Sequence, residues 1–247
     1  MFKPSKLHHC SCTISSEKSV PNTFDVLCWN VHKNNTKNID FKTYLEKVEK
    51  SCDFFVLQEA AFRDDKHFTL PHLTFDAAAN LEFKKSFYGV LTASRIQSHS
   101  AQAYLSIGKE SFIGSHKSIL VTHYIFEDNT PLLILNIHAI NFRENKHFHL
   151  ELERLFKLIE KYQGAMVIAG DFNTWNKRRI KKLHDFRENL GLKMIPYKQS
   201  DSVKTFMRNQ LDFIFYRGIQ LVDYSVDSKH KLSDHNPLYA KFKKNEN

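Results

Sequence analysis

Apolar and polar positions change period several times along the chain, and each change marks an element. Phe24-Asp25-Val26-Leu27-Cys28-Trp29-Asn30 is a nearly continuous apolar run ending in an amide, the pattern of a buried strand. Phe41, Tyr44, Leu45 and Val48 then recur at helical spacing, which predicts an amphipathic helix over 39–51. Asp53-Phe54-Phe55-Val56-Leu57 is a second apolar strand, ending at Gln58-Glu59. The mixed stretch 60–87, with Pro71 and several charges, predicts loops with short elements. Strand-like segments follow at 87–93, 101–107, 117–126 and 131–138, and Asp128-Asn129-Thr130 supplies turn chemistry between the last two. Phe148, Leu152, Leu155, Ile159 and Tyr162 form one stripe of a long helix over 143–162. Ala165-Met166-Val167-Ile168-Ala169 predicts a strand, followed by a helix near 176–190 that closes at Gly191. Segments 211–216, 219–226 and 237–242 predict three closing strands.

Helices alternate with antiparallel-type hairpins, and there is no internal repeat, low-complexity tract or proline-rich linker. This organisation predicts an α/β or α+β fold, with residues 1–22 as a flexible N-terminal lead and 23–247 as a single domain.

Composition narrows the function classes. Hydrophobic residues make up 42% and aromatic residues 13%, enough for a packed core. The chain holds 7 glycines and neither a GxGxxG nor a GxxxxGK[ST] string, which removes the usual support for a nucleotide-binding fold. Thirty-six basic against 27 acidic residues give a formal charge of +9, a field that attracts nucleic acid or anionic lipid. Cys10, Cys12, Cys28 and Cys52 form no CxxC pair, and neither a secretory h-region nor a run of ~20 apolar residues occurs. A reduced, cytoplasmic monomer without a transmembrane segment is the expectation.

Candidate chemistry gathers at strand ends. Asn30, Glu59, His138, Asp171 with Asn173, Asp212, and Asp234-His235 each close or flank a predicted strand, where a buried scaffold holds reacting groups rigidly. One carboxylate in such a place is usually a cap or turn residue; six such places on one chain form a set. The set suits a phosphate ester. Oxygen ligands such as Asn30 and Glu59 suit a hard cation, Asp171 can orient water, Asn173 and His138 can donate to developing negative charge, and Asp212 can orient His235.

Trp29-Asn30, Leu57-Gln58-Glu59, Asn136-Ile137-His138, Gly170-Asp171-Phe172-Asn173, Leu211-Asp212-Phe213-Ile214 and Ser233-Asp234-His235-Asn236-Pro237 resemble, in order, the motifs of the endonuclease/exonuclease/phosphatase superfamily. Within it, Trp-Asn-Val-His-Lys, Asn-Ile-His-Ala-Ile-Asn-Phe and Leu-Asp-Phe-Ile-Phe-Tyr-Arg-Gly are most similar to the bacterial YafD-like branch. The resemblance implies a four-layered α/β sandwich, two packed mixed sheets flanked by helices, with Mg²⁺ (or Mn²⁺) at one edge. It implies metal binding by Asn30, Glu59 and Asp234, with Asp234 assisting either the metal or His235. It also implies water positioning by Asp171, transition-state stabilisation by Asn173 and a His235–Asp212 pair, and His138 resembles the histidine of pancreatic-type deoxyribonucleases and sphingomyelinases. His32 stands where AP endonucleases carry an aspartate, so the resemblance does not carry over that ligand of a second metal subsite and leaves one or two metals open. The inositol 5-phosphatase signatures are absent.

For the substrate, Lys177, Arg178, Arg179, Lys181 and Lys182 crowd the helix after the Gly-Asp-Phe-Asn strand, either as a polyanion path or as a solvated face. Lys117 and Arg143 are further candidate contacts, and Trp175 either stacks on a base or packs. A nuclease on DNA or RNA is the leading expectation. A phospholipid or phosphoinositide phosphoesterase is the alternative, and would need an apolar patch, for which Phe62, Phe68, Leu70 and Leu73 are the candidates. A non-catalytic binding module is the third reading.

Overall fold

The computed structural model describes residues 2–10, 17–35, 38–63, 70, 72–109, 116–141, 144–198 and 201–245. Two sheets pack face to face. The first has seven strands in the order β1(Phe2–Cys10), β4(Thr74–Phe83), β5(Ser86–Ser94), β3(Phe54–Phe62), β2(Thr23–Asn30), β15(Leu238–Lys244), β14(Ile219–Val226). The second has six, ordered β10(Lys193–Met194), β13(Asp212–Arg217), β9(Ala165–Asp171), β8(Pro131–His138), β7(His116–Ile125), β6(Ser100–Lys109). Each sheet is mixed, with one parallel pair, β2–β3 and β8–β9, at its centre. Helix α1(Ile39–Val48) covers the outer face of the first sheet, and α2(Asn145–Ile159) and α3(Lys177–Asn189) cover the outer face of the second.

Strand alternation builds these layers. Phe24, Val26 and Cys28 of β2 face the second sheet and meet Leu132, Ile134 and Val167. Leu27 and Trp29 face the other way, onto Phe41, Tyr44 and Leu45 of α1. In β8, Leu132 and Ile134 point between the sheets while Leu133, Leu135 and Ile137 pack under Phe148, Leu152 and Leu155 of α2. Because both faces are covered, the central strands read as continuous apolar runs rather than alternating ones. Each fully buried leucine or isoleucine contributes about 1.5–3 kcal/mol.

Two expectations change. The stretch 60–87 holds a ten-residue strand, β4, rather than short elements; its run of buried small residues, Ala77, Ala78 and Ala79, lacks the bulky pattern that marks a strand in sequence. The lead expected over 1–22 contributes β1, antiparallel to β4, because the outer edge of β4 offers backbone donors and acceptors that a further strand satisfies. Val20, also in that lead, is fully buried in the core between the sheets. No helix among the described residues is long and apolar enough to cross a membrane.

Candidate active site

The polar residues converge at the ends of the central strands of both sheets. Asn30 ends β2, His138 ends β8, Asp171 ends β9 and Asp212 begins β13, and all four are buried. His138 and Asp171 are register partners across β8–β9, and Asp171 and Asp212 across β9–β13. Gly170 fits this crowding: its φ is +151°, and a Cβ there would stand 1.9 Å from the Ile137 carbonyl oxygen. Any side chain would push β9 away from β8 and displace Asp171.

Asp171 is the hub. Its Oδ1 accepts from the Asn173 backbone N–H at 2.9 Å, and its Oδ2 accepts from Asn30 Nδ2 at 3.2 Å. Oδ2 also lies 3.6 Å from His138 Nε2 and 3.9 Å from His235 Nε2. His235 Nδ1 is 2.8 Å from Asp212 Oδ2. The loop carrying His235 is anchored by Trp29, whose indole N–H donates to the His235 carbonyl at 2.8 Å, and by Ser233, whose hydroxyl donates to the Asn30 carbonyl at 2.7 Å.

Glu59 sits on a bulge of β3, where the pairing with β5 slips between Leu57 and Ala60. Its neighbour Gln58 donates to Asn136 Oδ1 across the sheets at 2.8 Å, and Asn136 in turn donates to the Leu57 carbonyl at 3.1 Å. Both residues are fully buried, so the bulge is held by a satisfied polar network. The Glu59 carboxylate meets His138 Nε2 at 3.9 Å, Lys33 Nζ at 3.7 Å and His32 Nδ1 at 3.9 Å. His32 also lies 3.6 Å from Asp234 Oδ1, and Lys204 Nζ is 3.1 Å from Asp234 Oδ2. His32, Lys33, Glu59 and Asn173 have φ of 48°, 60°, 50° and 50°, a cluster of left-handed non-glycine residues of the kind that over-determined sites sustain.

Electrostatics split the pairs. Burial, then the Asp212 charge, push Asp171 up to about 7. Burial pushes His235 down, yet Asp212 against its Nδ1, with Asp171 and Asp234 behind, holds it up at about 9. His138 goes the other way: burial, then Lys117 and His235, push it well below the ordinary range. At neutral pH one histidine is therefore a cation and the other neutral.

The donor set at this edge suits a hard cation. Glu59 and Asn30 present oxygen atoms; among the described residues the Glu59 carboxylate meets basic groups at 3.7–3.9 Å, and Asp212 Oδ1 is buried with no hydrogen-bond partner. Asp171, Asp212 and His235 bring three ligand-type atoms within 4.8 Å of one another, but there the His235–Asp212 pair already offsets charge. The residues fit an oxygen-ligated divalent ion on the Asn30–Glu59 side.

The sequence-predicted substrate contacts fare unequally. Lys117, nearly buried at the start of β7, lies close enough for its charge to lower both His138 and Asp171. Arg178 is exposed on α3, outside the close contacts of the site, and Arg143 lies outside the described residues. The basic helix shrinks as a polyanion path: Arg179 is fully buried, and Lys182 pairs with Glu153 at 3.0 Å. Trp175 packs on Arg179, with the guanidinium carbon 4.9 Å from its ring centroid. The candidate apolar patch for a lipid enzyme is not exposed: Phe62, Leu70 and Leu73 are buried in the core cluster that also holds Phe41, Tyr44 and Leu45 of α1, and Phe68 lies outside the described residues. Sequence reasoning missed Lys33 and Lys204 at the rim. It also missed the hairpin of β11(Thr205–Phe206) and β12(Asn209–Gln210), which exposes Phe206 and Met207.

The model of the endonuclease/exonuclease/phosphatase family matches residues 27–235. A relative from Erwinia tasmaniensis, called a UPF0294 protein, is 30% identical over 249 residues, covering 98% of this chain and 90% of its own. Among solved structures, an endonuclease/exonuclease/phosphatase from Beutenbergia cavernae superposes with TM-score 0.70 at 12% identity over 90% of this chain and 71% of its own. An AP endonuclease from Leishmania major (TM-score 0.60, 14% identity, 90% and 88% covered) and a mannosyl-6-phosphatase from Bacteroides thetaiotaomicron (0.61, 14%, 89% and 99%) share the fold.

Proposed function

The chain belongs to the endonuclease/exonuclease/phosphatase family, and from that premise we propose that it is a Mg²⁺-dependent nuclease that hydrolyses a phosphodiester of DNA or RNA with a water positioned by Asp171. The observation that carries this reading is the convergence of Asn30, Asn173, His138 and His235 on one buried carboxylate, Asp171.

The role of each group follows from its charge state. Ionised Asp171 accepts a proton from water, and its Asn30 and Asn173 hydrogen bonds fix which lone pairs remain for that water. His235, cationic through Asp212, offers its Nε2–H to a non-bridging phosphate oxygen as negative charge develops. His138, kept neutral, donates from one ring nitrogen without placing a second fixed cation beside His235. Asn173 spends one amide hydrogen on the Ala139 carbonyl at 3.0 Å, which orients the other for the phosphate. Asn30 and Glu59 would hold Mg²⁺, with Asp234 at the rim; the ion would supply charge neutralisation and polarisation of a phosphoryl oxygen.

Net charge of +9, Lys33, Lys117 and Lys204 around the site, and the exposed Phe206–Met207 hairpin tip support a nucleic-acid substrate, which offers phosphates for the cations and bases for an apolar, aromatic surface. The test is hydrolysis of plasmid DNA, RNA, sphingomyelin and phosphoinositides with Mg²⁺. The expected result is cleavage of nucleic acid, lost in Asp171→Ala and in excess EDTA. Hydrolysis of lipid alone overturns the nuclease assignment, and activity that survives Asp171→Ala overturns the mechanism.

A further inference from the structure

Arg179 is the least expected residue of the region: a guanidinium with no solvent exposure, on the first turn of a helix whose other early cations face water. Its Nη1 donates to the Ile140 carbonyl at 2.7 Å and to the Asn173 carbonyl at 3.0 Å. Its carbon stands 4.8 Å from the Phe148 ring centroid and 4.9 Å from that of Trp175, so the group is flanked by two aromatic rings. The backbone N–H of Ile140, in the preceding peptide group, is held as well, donating to Glu151 Oε2 at 3.3 Å.

Ile140 lies two residues after His138, and Asn173 two residues after Asp171. One guanidinium therefore ties together the two backbone segments that leave the strands bearing those groups. Asn173 adopts φ +50°, a left-handed conformation that asparagine visits more readily than other non-glycine residues and that three contacts hold here. The Asp171 carboxylate holds its N–H, the Ala139 carbonyl holds its side-chain amide, and Arg179 holds its carbonyl.

We propose that Arg179 is a positioning residue for catalysis, fixing the strained Asn173 backbone so that its carboxamide meets the phosphate. It touches no substrate, and it acts through Asn173; the inference rests on the role assigned above to that carboxamide. The chemistry calls for arginine. A lysine is a point charge that cannot reproduce a planar group lying between two aromatic rings while bonding two carbonyls.

Two experiments keep failure of this inference distinct from failure of the proposed function. Hydrogen exchange of the full chain with Arg179→Lys needs no substrate: faster exchange confined to segments 139–141 and 172–176 is expected. Unchanged exchange there, or loosening spread over the whole chain, overturns the proposal. With nucleic acid that wild type cleaves and Asp171→Ala does not, Arg179→Lys is expected to lower kcat roughly tenfold or more with KM within about threefold, as a displaced transition-state donor would. In an Asn173→Ala background the same substitution is expected to add little further loss. Equal fold losses in both backgrounds would mean a purely structural role and overturn the proposal.

Discussion

Asp171 and Asp212 are paired in register on adjacent antiparallel strands, so two buried carboxylates face one another across a single ladder rung. Two anions in that setting cannot both be comfortable. The histidine resolves the conflict asymmetrically, with His235 Nδ1 at 2.8 Å from Asp212 and Nε2 at 3.9 Å from Asp171. Asp212 becomes half of an ion pair, and Asp171 is left as the group able to take a proton.

Replacing Asp212 with asparagine tests this division. The loss of its charge is expected to lower the pKa of Asp171, since Asp212 is the second cause of its rise to about 7 after burial. It is also expected to lower that of His235, which Asp212 holds at about 9 against burial. Asp171 must be ionised to accept a proton and His235 protonated to donate one, so both limbs of the rate–pH profile should move toward acid. The fall in kcat is expected to be roughly 10²–10⁴-fold, the scale of other histidine-orienting aspartates. A pH–rate profile with unmoved limbs would contradict the assignment.

Metal binding is expected to depend on Glu59 more than on Asp212. Glu59→Gln should raise the apparent Kd for Mn²⁺, measured by calorimetry, by about tenfold or more, because it removes a charged oxygen ligand from a site with few. Asp212→Asn should change it far less. The reverse ranking would move the ion to the Asp171–Asp212–His235 cluster.

Glu151 gives a stability signature separate from activity. Burial pushes its carboxyl from 4.5 up to about 7, opposed by the Ile140 N–H and by Arg179, and its Oε1 has no hydrogen-bond partner among the described residues. The folded state therefore holds this proton more tightly than the unfolded chain. The associated stability is fully present below pH about 4.5 and is lost as pH rises through about 7, a change on the order of 3 kcal/mol. Glu151→Gln, which cannot ionise, should gain on wild type by that order between pH 5 and 8 in thermal unfolding. Parallel stability curves would show that Glu151 is ionised throughout.

Much of this site was legible because the groups with chemistry end the strands that apolar runs announce. Asn30, His138 and Asp171 each follow such a run, and the structure brings them together with Glu59, Asp212 and His235. What sequence could not separate was direction around a helix within a polar run. Arg179 falls in line with Leu183 and Phe186, the buried stripe of α3, yet its neighbours Lys177, Arg178 and Lys181 masked it as one more surface cation. Lys33 and Lys204 were invisible for another reason: they sit in loops, and only tertiary folding carries them to Glu59 and Asp234. β4 was missed because alanines carry neither a strand's bulk nor a helix's polar face.

Salt dependence of nucleic-acid binding can separate the cations at the site from those on the helix. Lys33 and Lys204 pair with Glu59 and Asp234, while Lys177 and Arg178 are exposed on α3. If the substrate crosses the α3 face, the double variant Lys177→Ala, Arg178→Ala should weaken binding to catalytically dead Asp171→Ala protein. It should also reduce the slope of log K against log salt by about 1 for each phosphate contact removed. Lys204→Ala should reduce the slope by no more than about 1 and also lower kcat, because it releases Asp234 beside the reacting centre. Fluorescence anisotropy with a labelled oligonucleotide at several salt concentrations measures the slopes. An unchanged slope in the double variant would confine the substrate to the strand-end cleft and exclude α3 from its path.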